Sequence, residues 1–315
     1  KEKLIKSGCS EENCEGIIDG IIDSELSGIK SHGFHYLPIY CNHLKIGKIK
    51  GSAKASGERI SDSALKINAD NGFAHNAINL GFNSLFDMCA TSGIASMSVF
   101  NSYNCGVLGF HTKRIAEKGF VGMGFTNAPA SIAPVGGKKA VVGTNPISIA
   151  VPLEGDAAII IDQSASVVAK SEISVRAKTG ESIPEGWAFD AEGNVTTNAQ
   201  EALKGTMAPS GGYKGFGTGL LVEIFTACIA GGNLGTQASS FAGEDGGPPG
   251  TGQFFIAINP EKFNSNYSTS MKTLIESIVE QEGARLPGSK RQVAFQKNKY
   301  QDIEINDQLL ERINQ

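Results

Sequence analysis

Runs of apolar residues at helical spacing take turns along this chain with short stretches that alternate apolar and polar. In residues 10–29, Ile17, Ile18, Ile21, Ile22 and Leu26 make one stripe. It predicts a helix with Ser10 as N-cap, Glu11 and Glu12 in the first turn and Gly28 as the stop. A second helix is expected over 42–48, ending at Gly47, and 50–63 reads as polar loop. Residues 65–70 alternate as a short strand and run into a turn at Asn71-Gly72. An amphipathic helix follows over 74–93, closed by Gly93, then a strand over 94–100. A helix over 111–118 is stopped by Gly119 and followed by a strand over 120–126. A loop rich in Pro, Gly and Ala spans 127–145, with strands at 146–152 and 157–161 and a helix at 171–178. Residues 180–197 read as a loop holding the only Trp. The stretch 209–232 opens glycine-rich and then turns apolar, with Leu220, Leu221, Ile224, Phe225 and Cys228 near helical spacing. A glycine-rich loop at 243–252, a strand at 253–258, a helix at 268–282, a turn at 285–288 and a terminal helix at 302–313 complete the pattern. Helices and strands alternate, which gives an α/β class.

Composition narrows the partners. The chain has 315 residues, 40% hydrophobic and 19% charged, the balance of a globular protein with a sizeable core. A net charge of −4 argues against nucleic acid or an anionic membrane as the main partner. No apolar run approaches the roughly 20 residues that span a bilayer, and the N-terminal KEKLIKSGCSEEN lacks the apolar region of a signal peptide. The six cysteines are scattered without a C-x-x-C pair, so they read as reduced thiols and the compartment as cytoplasmic.

The candidate chemistry sits in a few polar places. Gly211, Gly212, Gly215, Gly217 and Gly219 surround Lys214 just ahead of a helix. Unpartnered N–H groups there, at the positive end of the dipole, suit an anion, with Lys214 adding a point charge. On spacing alone the same stretch serves equally as a loop packed under a core helix. It is not a Rossmann fingerprint: the third glycine spacing is wrong, and no acidic residue follows about 20 positions on. His32, in Ser31-His32-Gly33 just past a helix end, is the best-placed proton carrier among five histidines. A loop histidine bonded to a carbonyl is the plainer reading. Asp162, Gln163, Ser164 and Ser166 follow a strand, at the edge where α/β sheets bind ligands, although Asp162 or Ser164 would also serve as a helix cap. Lys170 could meet a 2′-phosphate or simply be solvated. No H-x-x-x-H or carboxylate–His cluster points to a metal, and no G-x-S-x-G to a hydrolase.

Seven stretches in register carry a resemblance. They are Ser31-His32-Gly33 with Leu37, Pro38 and Tyr40; Asn101-Ser102 with Gly106; Gly143-Thr144-Asn145-Pro146; Asp162 with Ser166 and Ala169; Ile183-Pro184-Glu185-Gly186-Trp187-Ala188 with Asp190 and Gly193; Gly211-Gly212-Tyr213-Lys214-Gly215; and Pro287-Gly288. Together they resemble the malate/L-lactate dehydrogenase family, whose relatives include ureidoglycolate dehydrogenase, diketogulonate reductase, sulfolactate dehydrogenase and piperideine/pyrroline-2-carboxylate reductase.

The resemblance implies a non-Rossmann α/β fold with a mixed sheet and flanking helices, NAD or NADP as cofactor with the reduced form as hydride donor, a small carboxylate substrate, and a homodimer. It implies one catalytic unit: a helical part over about 1–50, a cofactor-binding core over about 60–260 and a helical C-terminal segment over about 265–315. His32 is implied as the proton donor, with Tyr36, Tyr40 and Asn104 beside it. Asp162, Gln163, Ser164, Ser166, Lys170, Tyr213, Lys214, Gly215, Pro287 and Gly288 are implied around the cofactor. In many relatives the residue four after the histidine is Arg, which suits a bidentate grip on a carboxylate; here it is Tyr36. Many also carry a second His in the Asn-Ser-x-His-x-Gly turn, where this chain has Asn104. Neither replacement brings a charge. The function implied is hydride transfer at C2 of a 2-hydroxy/2-oxo acid. A cyclic imine reductase is the alternative, because a protonated imine needs less acid catalysis. An inactive small-acid-binding relative is the alternative from another class.

Overall fold

The computed structural model describes residues 1–314. The chain opens with α1 (Glu2–Lys6) and α2 (Glu11–Leu26), and two 3-10 turns, Lys30–His32 and Phe34–Tyr36, lead into α3 (Leu37–Lys45). Then come β1 (Ser56–Ser61), β2 (Ala64–Asn68), α4 (Ala74–Ser92), β3 (Ile94–Ser102), α5 (Leu108–Ala116), β4 (Val121–Thr126), β5 (Ile147–Leu153) and β6 (Asp156–Gln163). A small lobe holds α6 (Lys170–Thr179), β7 (Ala188–Phe189), β8 (Val195–Thr196), α7 (Ala199–Lys204) and β9 (Thr206–Met207). The chain returns through α8 (Tyr213–Glu223), which runs on as a π-helical turn over Ile224–Ile229, and β10 (Thr251–Ile258), and ends in α9 (Tyr267–Val279), α10 (Ser289–Asn298) and α11 (Asp307–Asn314).

The main sheet has seven strands in the order β1-β2-β3-β10-β4-β5-β6. It is mixed: β2 and β3 run parallel, joined by the α4 crossover, and the other neighbours are antiparallel. Ile67, Met97, Val99 and Phe255 on the sheet pack with Ile78, Phe82 and Leu85 of α4 and Leu108 and Ile115 of α5. A second core joins α1–α3 through Cys14, Ile17, Ile21, Tyr40 and Leu44, with Tyr103 from beyond β3. A third, around Ile132, Val142, Ile173, Ile183 and Met207, holds the small lobe and its three-stranded sheet, β8-β7-β9.

Several elements differ from the sequence expectation, each for a physical reason. The polar stretch 50–63 contains β1, whose six residues are all exposed, so no alternation in hydrophobicity marks it. It is held by backbone pairing to β2, for example Gly57 opposite Ile67. The third helix begins at Leu37 instead of Asn42, with Pro38 in its first turn where a missing N–H costs nothing. Helix α5 begins three residues before His111. The Trp-bearing loop contributes β7 and β8, and α7 and α10 come from polar stretches that carry no apolar stripe. Ser10 occupies the N-cap position of α2, yet its side chain makes no capping bond. Gly93 does end α4, at φ +83°.

His75 and His111 are a buried pair with ring centroids 5.3 Å apart. His111 Nε2 bonds the Cys105 carbonyl at 2.9 Å, and Nδ1 of both rings is buried without a hydrogen-bond partner among the described residues. Burial, helped by Arg114, pushes His75 down to about 3, and burial takes His111 well below its usual value. Both imidazoles therefore fold neutral but are protonated in the unfolded chain once pH drops below about 6.5. Each then lowers stability by up to about 1.4 kcal/mol per pH unit until its folded pKa is reached. Urea midpoints at pH 7.5, 5.5 and 4.5 are expected to fall steeply, and the fall to be shallower in His75→Gln; equal slopes in the two proteins would contradict this.

Candidate active site

The turn between α2 and α3 places His32. Glu25 anchors that turn by accepting the Phe34 N–H at 2.6 Å, and Gly33 lies flat on the same carboxylate. His32 is half-buried, its Nδ1 3.1 Å from the Ser31 hydroxyl and, among the described residues, not bonded to a carbonyl. Its ring lies nearly parallel to Tyr36, with centroids 6.4 Å apart, and Tyr36 meets Tyr40 at 4.7 Å. Asn104 joins the two phenols: its amide donates to Tyr36 at 3.4 Å, and its carbonyl accepts from Tyr40 at 3.1 Å and from the Gly106 N–H at 3.2 Å. Burial pushes Tyr36 up to about 12 and Tyr40 well above the ordinary phenol value, so both remain neutral hydrogen-bonding groups. His32 and the three residues expected beside it, Tyr36, Tyr40 and Asn104, therefore form one connected wall.

The end of β6 is within electrostatic reach of His32. Burial lowers its pKa, the nearby Asp162 carboxylate opposes that fall, and Arg291 reinforces it. Asp162 accepts from Arg291 Nη1 at 2.8 Å and packs so closely on α5 that a Cβ at Gly109 would sit 2.9 Å from its Oδ2. Asp162 lies within β6, one residue before its end, and α6 has Ala169 as its cap residue, so neither Asp162 nor Ser164 caps a helix.

Two cavities flank Gln163. One, about 440 Å³, is lined by Ile160, Ile161, Asp162, Gln163, Arg285, Pro287, Gly288, Lys290 and Arg291. The other, about 460 Å³, is lined by Gln163–Ser166, Val167, Ser210, Lys214, Gly215 and Thr218. The wall of the second cavity is tightly tied. Ser210 N–H donates to the Ala165 carbonyl at 2.8 Å, and the Ser164 and Ser166 hydroxyls lie 3.0 Å apart. Helix α8 starts at Tyr213, so Lys214 and Gly215 are in its first turn, with N–H groups that have no intrahelical acceptor. Gly215 has no room for a side chain: a Cβ would strike the Ser210 carbonyl and lie 2.9 Å from the Ala165 carbonyl oxygen. The Pro287 carbonyl accepts from the Ile160 N–H at 3.2 Å, which lays the Pro287-Gly288 turn against β6.

Of the residues expected around the cofactor, Asp162, Gln163, Ser164, Ser166, Lys214, Gly215, Pro287 and Gly288 line these two adjoining cavities. Tyr213 is 69% exposed at the start of α8, and Lys170 is exposed at the start of α6; neither lines these two cavities. Sequence reasoning missed Arg285, Lys290 and Arg291. The signal was the basic spacing around Pro287-Gly288, in RLPGSKR, which reads as a turn until it is folded against β6.

Comparison with known proteins gives one consistent picture. The malate/L-lactate dehydrogenase family model matches residues 1–314. A (2R)-3-sulfolactate dehydrogenase (NADP(+)) from Chromohalobacter salexigens is 36% identical over 93% of this chain and 87% of its own length. A Δ(1)-pyrroline-2-carboxylate/Δ(1)-piperideine-2-carboxylate reductase from Pseudomonas aeruginosa is 32% identical over 97% of this chain and 92% of its own. The crystal structure of Δ1-piperideine-2-carboxylate reductase from Pseudomonas syringae superposes with a TM-score of 0.92 at 27% identity, covering 99% of this chain and 95% of that one.

Because its neighbours are backbone atoms, Gly215→Ala is expected to cost about 1–3 kcal/mol and to lower the thermal midpoint. Lys214→Ala, at an exposed neighbouring position, leaves it unchanged. Equal midpoints for all three proteins would mean that the start of α8 is not wedged against Ser210.

Proposed function

The chain belongs to the malate/L-lactate dehydrogenase family, and from that premise we propose that it passes hydride between a nicotinamide cofactor and C2 of a small 2-oxo or 2-hydroxy acid. The observation that carries this reading is the join at the end of β6. Asp162 lies within electrostatic reach of His32, and its neighbour Gln163 lines the cavity that holds Lys214.

The cavities fit NAD or NADP. The start of α8, with Lys214 and a glycine that cannot take a Cβ, matches an anion. Gln163, Ser164, Ser166, Lys214, Gly215, Pro287 and Gly288 would hold the cofactor. Bound in its reduced form, the cofactor supplies the hydride. His32 gives its proton to the oxygen of a 2-oxo acid and takes it back from a 2-hydroxy acid. Desolvation favours its neutral form, Asp162 opposes this and Arg291 reinforces it, so the imidazole sits below its ordinary pKa. Tyr36, Tyr40 and Asn104 orient the substrate with neutral hydrogen bonds.

A cyclic imine such as Δ1-pyrroline-2-carboxylate is the second reading. It is favoured by that uncharged wall, because a substrate that arrives protonated asks less of the acid. We place the enzyme in the cytoplasm, in keeping with six free thiols; no helix among the described residues is long and apolar enough to cross a membrane. We also read it as a homodimer. Helix α8 and its π-helical extension bury small or polar residues such as Gly219, Glu223 and Thr226, and turn Leu220, Leu221, Ile224 and Ile229 outward at 42, 42, 44 and 56% exposure. So much apolar surface on one helix suits a second copy of the chain.

Two outcomes test these readings. Turnover is expected either with NAD+ or NADP+ on one of (2R)-3-sulfolactate, malate or lactate, or with NADH or NADPH on Δ1-pyrroline-2-carboxylate, and His32→Ala lowers it roughly 100-fold with cofactor affinity kept. Cofactor binding without turnover on any of them would point to an inactive small-acid-binding relative. In sedimentation velocity, Leu221→Glu with Ile224→Glu is expected to shift a dimer to monomer; an unchanged dimer would place the interface elsewhere.

A further inference from the structure

Taking the oxidoreductase reading as given, we propose that Arg285 and Lys290 bind the 2′-phosphate of NADPH and make the phosphorylated dinucleotide the preferred cofactor. An unphosphorylated dinucleotide carries its charge in one pyrophosphate, and the Lys214 cavity at the α8 N-terminus suits that group. The Pro287 cavity, across Gln163, is then a second basic site with no anion of NADH to answer it.

Its charges are uneven. Arg285, Lys290 and Arg291 line it, with Asp162 as the acidic residue. Asp162 is taken by Arg291 at 2.8 Å. Arg285 and Lys290 have no ion-pair partner among the described residues. Two free cations match a phosphate monoester, which carries a charge of about −1.5 to −2 at neutral pH. The Arg fork suits two of its oxygens at once.

The cavity is also shaped for what accompanies that phosphate. Ile160, Ile161 and Pro287 give it an apolar side against which an adenine face can lie. Its floor is rigid: the Ile160–Pro287 backbone bond fixes the turn, and a Cβ at Gly288 would sit 2.9 Å from the Ile160 Cβ and carbonyl oxygen. Arg285 and Lys290 therefore leave a fixed turn from its two ends. Lys170, the cation that sequence alone pointed to, is exposed at the start of α6 and lines neither cavity.

Titration calorimetry tests this with NADPH, NADH, 2′,5′-ADP and 5′-ADP, using the full chain, the double variant Arg285→Ala with Lys290→Ala, and Lys170→Ala. The wild-type chain is expected to bind NADPH at least about 10-fold more tightly than NADH, and 2′,5′-ADP more tightly than 5′-ADP by a similar factor. The double variant loses both preferences while its NADH affinity stays within about two-fold, and Lys170→Ala keeps them. Thermal midpoints confirm that the variants fold, since both side chains are exposed. No preference in the wild-type chain, or an undiminished one in the double variant, overturns the 2′-phosphate assignment and leaves the oxidoreductase reading standing. Failure of the wild-type chain to bind either dinucleotide overturns both.

Discussion

Residues 160–166 hold three distant parts of the chain to one strand end. Ile160 bonds the Pro287 turn, Asp162 pairs with Arg291 of α10, and Ala165 bonds both Thr144 and Ser210 through its backbone. None of these partners lies near β6 in sequence. Without the ties, the start of α8 and the 285–291 turn would be unrelated surface features. With them, both lie against the end of β6, where Asp162 is within electrostatic reach of His32. The geometry of the site is therefore a property of tertiary contacts to one strand, and the polar character of β6's last residues follows from that task.

A second constraint fixes the far end of α8. Glu223 is buried in that helix, where an unpaired carboxylate would be very costly. It is met from two sides: Asn145 Nδ2 donates to one oxygen at 2.7 Å and the Gly235 N–H to the other at 2.5 Å. Asn145 also donates to the Gly219 carbonyl at 2.8 Å, and holds a positive φ of 34° to do so. This gives the Gly143-Thr144-Asn145-Pro146 stretch its physical meaning. It clamps α8 to the main sheet, and through α8 it sets where Lys214 stands. A helix fixed by small and polar residues on its inner face is free to turn its leucines outward.

What the sequence made legible follows from this division of labour. Helices with an apolar stripe and a glycine stop, such as α2 and α4, were readable because burial and local conformation agree. β1 and α10 were not, because the first exposes every residue and the second buries none, so hydrophobicity leaves no trace of either. The face of α8 was readable as apolar but not as outward-facing, since periodicity reports a stripe without saying what covers it. At the site, His32 stood out by residue type and resemblance, and its wall of Tyr36, Tyr40 and Asn104 came with it. Arg285, Lys290 and Arg291 did not stand out, because a cation beside a turn looks solvated until the turn is laid against a strand.

Burial is the largest influence on the His32 imidazole and lowers its pKa, and the Asp162–Arg291 pair acts on top of it. An unshielded carboxylate beside an imidazole stabilises the protonated ring, and that would hold the proton too firmly for exchange near neutral pH. Arg291 spends much of that negative charge in an ion pair at 2.8 Å and adds a positive one that lowers the imidazole directly. Desolvation acts in the same direction as Arg291. The wall formed by Tyr36 and Asn104 adds no charge to this balance. A charged residue in either place would shift it, so the uncharged wall and the ion pair are two parts of one adjustment of the same imidazole.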